Sequence, residues 1–595
     1  MPSYKAPVED TLFVLLDVLG LARLTNLPRF AEATPDLLEA VLSEAGRFCE
    51  EVLQPLNRTG DLEGCTRHAD GHVTSPTGFK EAYAAYRDGG WQGLAVTAEY
   101  GGQNLPHVIG AAVNEFCFGA NMAFTVYPGL TQSAVSALLV HGSEEQKRLY
   151  ALRMVTGEWT GTMNLTEPHC GTDLGLLKTK AAPQPDGCYR ITGQKIFISA
   201  GEHDLAPNIV HLVLARIEGA PAGTKGLSLF VVPKITVEPD GALGARNAVT
   251  CGAIEHKMGI HGNATCVMNY DGATGWLVGE ANRGLNAMFV MMNEARIGVA
   301  IQGLGQSEVA YQNAAAYAKE RLQGRALSGR VNEAGPADPI LAHPDVRRML
   351  LEIRAFNEGA RAFLLWGALQ SDLAEAAETP AARQTAEDML GLLTPVLKGV
   401  LTDTGFQNCV TAQQVFGGHG YVAEWGMEQF VRDARIAQIY EGANGIQALD
   451  LVGRKLPKDA GRAFSAFTKE VAGYLKAKAG EEALAPYLGS LKEGLDRLQQ
   501  ATMWFMTNAM TRPDNAGAGA TSYMHLFGLV GMGYMWARMA EAALARKAAG
   551  DPAGMDAKLA VGRVFMERLM PETATHLARI TAGAETMMAM PAEAF

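Results

Sequence analysis

A chain of 595 residues has room for about four domains by length alone, and 48% hydrophobic with 19% charged residues makes it a globular protein able to bury sizeable cores. Its formal net charge of −12 disfavours nonspecific binding to nucleic acid or an anionic membrane. The eight cysteines are scattered with no C-x-x-C pair, which excludes a disulfide framework or a zinc site of that kind and fits reduced thiols in a cytosol.

The N-terminus, MPSYKAPVEDTLFVLLDVLG, has acidic residues before its apolar run and no basic stretch, so it does not read as a signal peptide. From Thr34 to about Trp159 the pattern is helical. Leu38, Val41, Leu42 and Ala45 recur at three- and four-residue steps behind a Thr34 cap followed by Pro35, and further helices are predicted around FKEAYAAYRDGG and from Val108 to Cys117. From Gly161 to about Gly279 the texture changes to β. YRITGQKIFIS, IVHLVLARI, GLSLFVVPKITV and TCVMNYDGATGWLVG alternate with Gly, Pro, Asp and Asn turns, which predicts an antiparallel β-domain. Helical period returns from Gly284 to Lys455, broken by a loop near GRVNEAGPADP, and a last helical block runs from Pro457 to Phe595. Within that block LFGLVGMGYMWA is too short for a bilayer, which needs ~20 apolar residues, and reads as a buried helix rich in small residues. The expected order is an extension over 1–34, helical 35–160, β over 161–282, helical 283–457 and an extra helical domain over 458–595.

Five stretches hold candidate chemistry. LTEPHCGTDLGLLKTKA offers the Thr166 and Thr172 hydroxyls and the permissive Gly171 and Gly175, in what is otherwise an ordinary structured loop. ITGQKIFIS places Phe197 and Ser199 two apart on one side of a strand, which suits a flat heterocycle and a sheet core equally. Gly417, Gly418 and Gly420 in QQVFGGHG do not form the dinucleotide fingerprint, yet paired glycines between helices let a pyrophosphate approach the backbone. Gln302-Gly303-Leu304-Gly305 also fails that fingerprint and reads as helix packing. Arg296 opens a mostly apolar helical face, either as a stem-packed surface residue or as an anion partner. Glu441, in AQIYEGANGIQ, sits where Gly, Asn or Asp would be the usual turn residues; it is a surface glutamate or a functional one. His256 and His261 are five apart in a Gly-rich turn, which is not a metal-ligand spacing, and no metal is expected.

Taken together and in order, EYGGQNLP, GSEEQKRLY, GEWTGTMNLTEPHCGTD, ITGQKIFIS, GLNAMFVMMNEAR, AYAKERLQGR, QQVFGGHG and RDARIAQIYEGANGIQ resemble the acyl-CoA dehydrogenase family over about residues 35–457. HCGTDLGLLKTKA, EHKMGIHGNATC, HPDVRRMLL and the C-terminal extension are similar to its large branch, which includes 3-methylmercaptopropionyl-CoA dehydrogenase. The resemblance implies a mainly α fold with a central β-barrel domain and a C-terminal helical addition, FAD as cofactor and a trans-2-enoyl-CoA product. The implied substrate is 3-methylmercaptopropionyl-CoA or a related short or medium acyl-CoA. The alternatives are a long-chain fatty acyl-CoA dehydrogenase, an acyl-CoA oxidase, or a DNA-associated flavoprotein of the same fold.

It also implies residue roles. Phe197 takes the place of an aromatic that stacks on the flavin, and Ser199 that of a Thr near flavin N5. Met163, Leu165 and Thr166 line the flavin, and Thr172 is shared between cofactor and pantetheine. Arg321, Gln414, Gly417 and Gly418 match contacts to the adenosine-diphosphate half of FAD in a neighbouring subunit, and Asn444 falls among the cofactor contacts. Asn293 and Arg296 match positions near CoA, with Asn293 replacing a common Asp, and Gly442 adjoins the substrate. Gly324 stands where the family often has Phe, and Ala443-Asn444-Gly445 where Thr-Ser/Asn-Gln is frequent. Glu441 matches the catalytic base, whereas the base position that some members use instead is here Ala295, beside Glu294. Burial beside flavin and apolar substrate would raise such a carboxyl toward the working pH. The remaining implications are an electron-transferring flavoprotein as acceptor, a homodimer, a cytoplasmic location, no nucleic acid and no membrane span.

Overall fold

The computed structural model describes residues 2–509 and 511–595. The chain forms two compact units, one of Phe48–Leu105 with Ala120–Gly298, the other of Met1–Arg47, Pro106–Gly119 and Val299–Phe595.

The first unit is built on a seven-stranded sheet: β1 (Thr160–Asn164), β2 (Lys180–Pro183), β3 (Tyr189–Ser199), β4 (Ile209–Ile217), β5 (Leu227–Pro233), β6 (Val249–Ile254) and β7 (Thr265–Val278). The pairings β7–β3–β2–β4–β5–β7 close on themselves, so five strands make a barrel, with β6 added to β7 and β1 to β4. β3, β4 and β7 fall on their predicted runs, and β5 on most of its run. The pairing is not wholly antiparallel, however: β1 and β2 each run parallel to β4. Both reach it through connections much longer than a hairpin turn, as parallel neighbours require.

β4 is apolar at successive positions because both its faces are covered. Val213 and Ala215 pack with Phe230 and Val232 of β5, whereas Leu212 and Leu214 pack with Leu229, Val231 and Leu138. Leu138 belongs to the helix Met122–His141, twenty residues long and apolar, with Pro128 inside it and most of its surface buried. That helix comes close to β1 at Gly161, where a Cβ would lie 2.6 Å from the Ala134 Cβ; there the Gly161 N–H donates to the Thr131 hydroxyl.

The second unit is helical. Its long elements are α1 (Gly284–Glu320, of which the part from Val299 belongs here), α2 (Pro344–Ala376), α3 (Pro380–Val415), the short α4 (Asn444–Asp450) and α5 (Asp514–Ala548). Small residues set the crossings. A Cβ at Gly303 would lie 2.5 Å from the Leu401 carbonyl, which fits its expected packing role, and one at Gly528 would lie 2.7 Å from a Val400 methyl. The run Leu526–Ala537 lies inside α5 and is buried, as predicted. A buried charge cluster joins distant parts of this unit: Arg361 bonds Glu115, Asp10 and Glu308, and Lys558 bonds Asp10 and Glu358. Removing one member of such a cluster costs about 3–5 kcal/mol, because the others stay buried and charged.

Candidate active site

In the barrel unit, a β-bulge decides what Phe197 can do. The register between β3 and β7 shifts between Cys266 and Met268, so Lys195 and Ile198 are both buried while Phe197 lies between them on the other side. Phe197 has φ of 59°, a left-handed conformation that costs a non-glycine residue about 1–2 kcal/mol. Its ring is 60% exposed, so the core gains little from it. An exposed aromatic held in a strained backbone marks a functional position more than a packing one. Ser199, half-buried, follows two residues on.

The neighbouring loop is fixed from beneath. Glu167 accepts from the Lys178 and Thr179 N–H groups, the Thr179 hydroxyl and Lys195, and Lys195 also donates to the Leu165 carbonyl, 2.9 Å. Burial acts to raise the Glu167 carboxyl, but Lys195 and these donors outweigh it and hold the group below its ordinary value. Burial lowers Lys195 to about 8. This pair orders Leu165 and Thr166, while Met163 is half-buried at the end of β1 and Thr172 is exposed. Glu167, His169 and Cys170 bring ligand-type atoms within 4.8 Å of one another, but the Glu167 oxygens are already engaged by these donors.

In the helical unit, Glu441 has φ of 58° and Gly442 φ of 85°, two consecutive left-handed residues. Glycine tolerates this freely and glutamate does not. The loop is held by side chains from α3 and α4. Lys398, fully buried, donates to the Gly442 carbonyl at 2.9 Å and to Asn444 Oδ1 at 2.6 Å. Asn444 Nδ2 donates to Thr402 Oγ1, Asp403 Oδ1 and the Gly399 carbonyl, and Gln447 donates to the Glu441 and Gly442 carbonyls. Gln438, on the other side of the loop, also donates to Asp403 Oδ1 at 2.7 Å. Both ends of the Asn444 amide, expected at the cofactor, are thus directed into the protein, where they anchor the loop. The Tyr440 hydroxyl donates to Gln302, and burial with the nearby Glu441 charge pushes its ionisation well up, which leaves a neutral phenol beside the carboxylate.

Of the other expected residues, Gln414, Gly417 and Gly418 are exposed where α3 ends, and Arg321 is exposed just beyond α1. A Cβ at Gly417 or Gly418 would meet nothing within 4 Å, so intramolecular packing does not require these glycines, although Gly417 has φ of 57°. Arg296 is only 5% exposed, which removes the surface reading, and its Nη1 lies 3.4 Å from Asn293 Oδ1. Ala295 is buried and has no group to act as a base. Sequence reasoning missed Lys398, Thr402, Asp403 and Gln438. The available signal was a lysine and an aspartate inside the otherwise apolar helical run TPVLKGVLTDTGF.

Comparison with known proteins decides the family. Residues 36–158, 162–273 and 282–456 match the family models described as acyl-CoA dehydrogenase N-terminal, middle and C-terminal domains, and residues 467–591 match one described as acetyl-CoA dehydrogenase C-terminal like. The chain belongs to the acyl-CoA dehydrogenase family. It is 42% identical to 3-methylmercaptopropionyl-CoA dehydrogenase of Ruegeria pomeroyi, across 98% of this chain and 99% of that one. It is 34% identical to the broad-specificity linear acyl-CoA dehydrogenase FadE5 of Mycobacterium tuberculosis, across 96% of each. Its fold is shared with Caenorhabditis elegans ACDH-11, solved in complex with C11-CoA, at a TM-score of 0.76 and 21% identity over 95% of this chain and 91% of that one. As a member of this family the chain is an FAD-dependent oxidoreductase. The exposed, strained Phe197 ring beside Ser199 fits a flat tricyclic ring.

Proposed function

We propose that this enzyme converts 3-methylmercaptopropionyl-CoA, or a related short or medium acyl-CoA, to the trans-2-enoyl thioester with Glu441 as base. The observation that carries the reading is the backbone of Glu441: a strained conformation for a glutamate, maintained by buried side chains around it. Such strain persists only where the surroundings over-determine it, and it concentrates at reacting groups.

The reaction removes a proton from the carbon next to the thioester and a hydride from the next carbon. FAD, when bound, accepts the hydride. Glu441 takes and holds the proton, since the neighbouring phenol of Tyr440 is kept neutral and Ala295 offers nothing. The α-proton of a thioester is too weakly acidic for a free carboxylate, so donors on the thioester oxygen must stabilise the developing enolate, and the Glu441 N–H is one such donor. Met163, Leu165, Thr166, Thr172, Phe197 and Ser199 hold the flavin end of the cofactor. Arg321, Gln414, Gly417 and Gly418 hold the adenosine-diphosphate half bound to a second copy in a homodimer. Thr172, Asn293 and Arg296 take the CoA portion, and Gly442 leaves room for the acyl chain. The acceptor is an electron-transferring flavoprotein and the location cytoplasmic.

The substrate assignment rests on the 42% identity along nearly the whole of both chains. The broad-specificity relative at 34% supports a second reading, a linear acyl-CoA of greater length. Anaerobic flavin bleaching with 3-methylmercaptopropionyl-, butyryl- and palmitoyl-CoA separates them. Fastest bleaching by the thioether substrate is expected, and fastest bleaching by palmitoyl-CoA overturns that choice. Rapid hydrogen peroxide formation in air, without reduction of an electron-transferring flavoprotein, would instead make the enzyme an oxidase.

A further inference from the structure

We propose that His525, from the extra C-terminal helical region, is a positioning residue for the loop that carries Glu441. The inference rests on Glu441 being the base. Asp403 is the centre of the arrangement. Its Oδ1 accepts from Gln438 at 2.7 Å, three residues before Glu441, and from Asn444 at 2.7 Å, three residues after it. One carboxylate oxygen therefore ties both sides of a loop with two consecutive left-handed residues. The other oxygen, Oδ2, lies 3.0 Å from His525 Nε2 on α5. An ionised carboxylate only accepts, so Nε2 carries the hydrogen.

A second, independent feature places His525 there. A Cβ at Gly399 would clash with Met524 Sδ, and one at Gly528 would lie 2.7 Å from Val400. Glycines on both helices thus bring α3 and α5 together, and Asp403 is one helical turn beyond Gly399. The His525 ring is further held against the His576 ring, with centroids 5.6 Å apart and planes 13° from parallel. Burial acts to raise the Asp403 carboxyl, but bonds from His525, Gln438 and Asn444 outweigh it and keep the group ionised. The extra helices therefore act on the chemistry: they complete the bonds to the carboxylate that fixes the loop. Losing one of them lets the loop move, and a misplacement of about 1 Å at a reacting group costs roughly 10²-fold.

The test uses the full-length holoenzyme and His525→Phe, which keeps a ring against His576 but has no donor, beside His525→Gln, which restores one. The side chain is 21% exposed, so both are expected to fold. Should the Phe form not fold, His525→Asn, polar but too short to reach Asp403, is read in its place. Stopped-flow flavin reduction by acyl-CoA, normalised to bound flavin, is expected to slow by about 10- to 100-fold in the Phe form. The substrate Kd should change little, the isotope effect with α-deuterated substrate should increase, and the Gln form should recover most of the rate. A Phe or Asn form that reduces its flavin at the wild-type rate overturns the proposal, as does a defect confined to thermal stability or flavin content. Glu441→Gln runs in parallel. If that variant still reduces its flavin at the wild-type rate, the base assignment fails, and this proposal with it; if it is inactive while the Phe form is normal, only the role of His525 fails.

Discussion

Phe197 and Glu441 are both large residues in the left-handed region, each in its own unit, and they are held there by different means. Phe197 is fixed by sheet register. The bulge between β3 and β7 sets its backbone through main-chain pairing, and its ring contributes little to the core around it. Glu441 is fixed by side chains, from Lys398 and Asp403 beneath the loop to Gln447 after it. Each site is therefore vulnerable in a different place. A ring on a bulge can be exchanged without unfolding its support, whereas the base depends on residues whose loss also disturbs the helices that carry them.

Glu441→Gln should do the most damage. It keeps the loop and its bound flavin, and dehydrogenation is expected to fall by about 10²- to 10⁴-fold, the usual contribution of a general base, in an anaerobic bleaching assay. Next comes Lys398→Met, which takes the buried donor from Asn444 Oδ1 and leaves the Gly442 carbonyl to Gln447. A loss of about 1–3 kcal/mol is expected in chemical denaturation, together with slower flavin reduction. The opposite sign is expected at the bulge. Phe197→Gly should stabilise the flavin-free protein by about 1 kcal/mol, because glycine accepts positive φ, yet it should release FAD more readily; Phe197→Trp should keep the flavin. A less stable glycine variant would mean that the ring supports the sheet.

The smallest effect is acid sensitivity. Asp403 has its carboxyl held below its ordinary 3.8 by bonds that outweigh burial. A carboxyl lowered in the folded state contributes stability fully above the unfolded value and loses it as pH falls through the folded value. Thermal midpoints between pH 6 and 3 should therefore fall more steeply for wild type than for Asp403→Asn.

Much of this was legible in the sequence. The strands Tyr189–Ser199, Ile209–Ile217 and Thr265–Val278 announce themselves by β-branched runs between turn residues, and Thr34 with Pro35 announces the helix Pro35–Phe48. Eight motifs in a fixed order, spread from EYGGQNLP to RDARIAQIYEGANGIQ, carried the family resemblance. β1 was hidden because it is short and pairs with a strand far along the chain, so it has no local hairpin signal, whereas β2, equally short, forms a hairpin with β3 across the Pro185-Asp186-Gly187 turn, a local signal that was available. The bulge at Phe197 was hidden too, since an unbroken strand with strict alternation reads the same in sequence.

The order of helical and β-rich segments, the family resemblance and the candidate base Glu441 are all written in the linear chain, because periodicity and ordered motifs are properties of neighbouring residues. That Lys398, Asp403 and His525 meet around one loop is visible in the folded chain alone. Their meeting depends on close helix crossings at Gly399 and Gly528, where the absence of a side chain allows the approach. Contacts between residues more than a hundred positions apart leave no periodic trace along the chain.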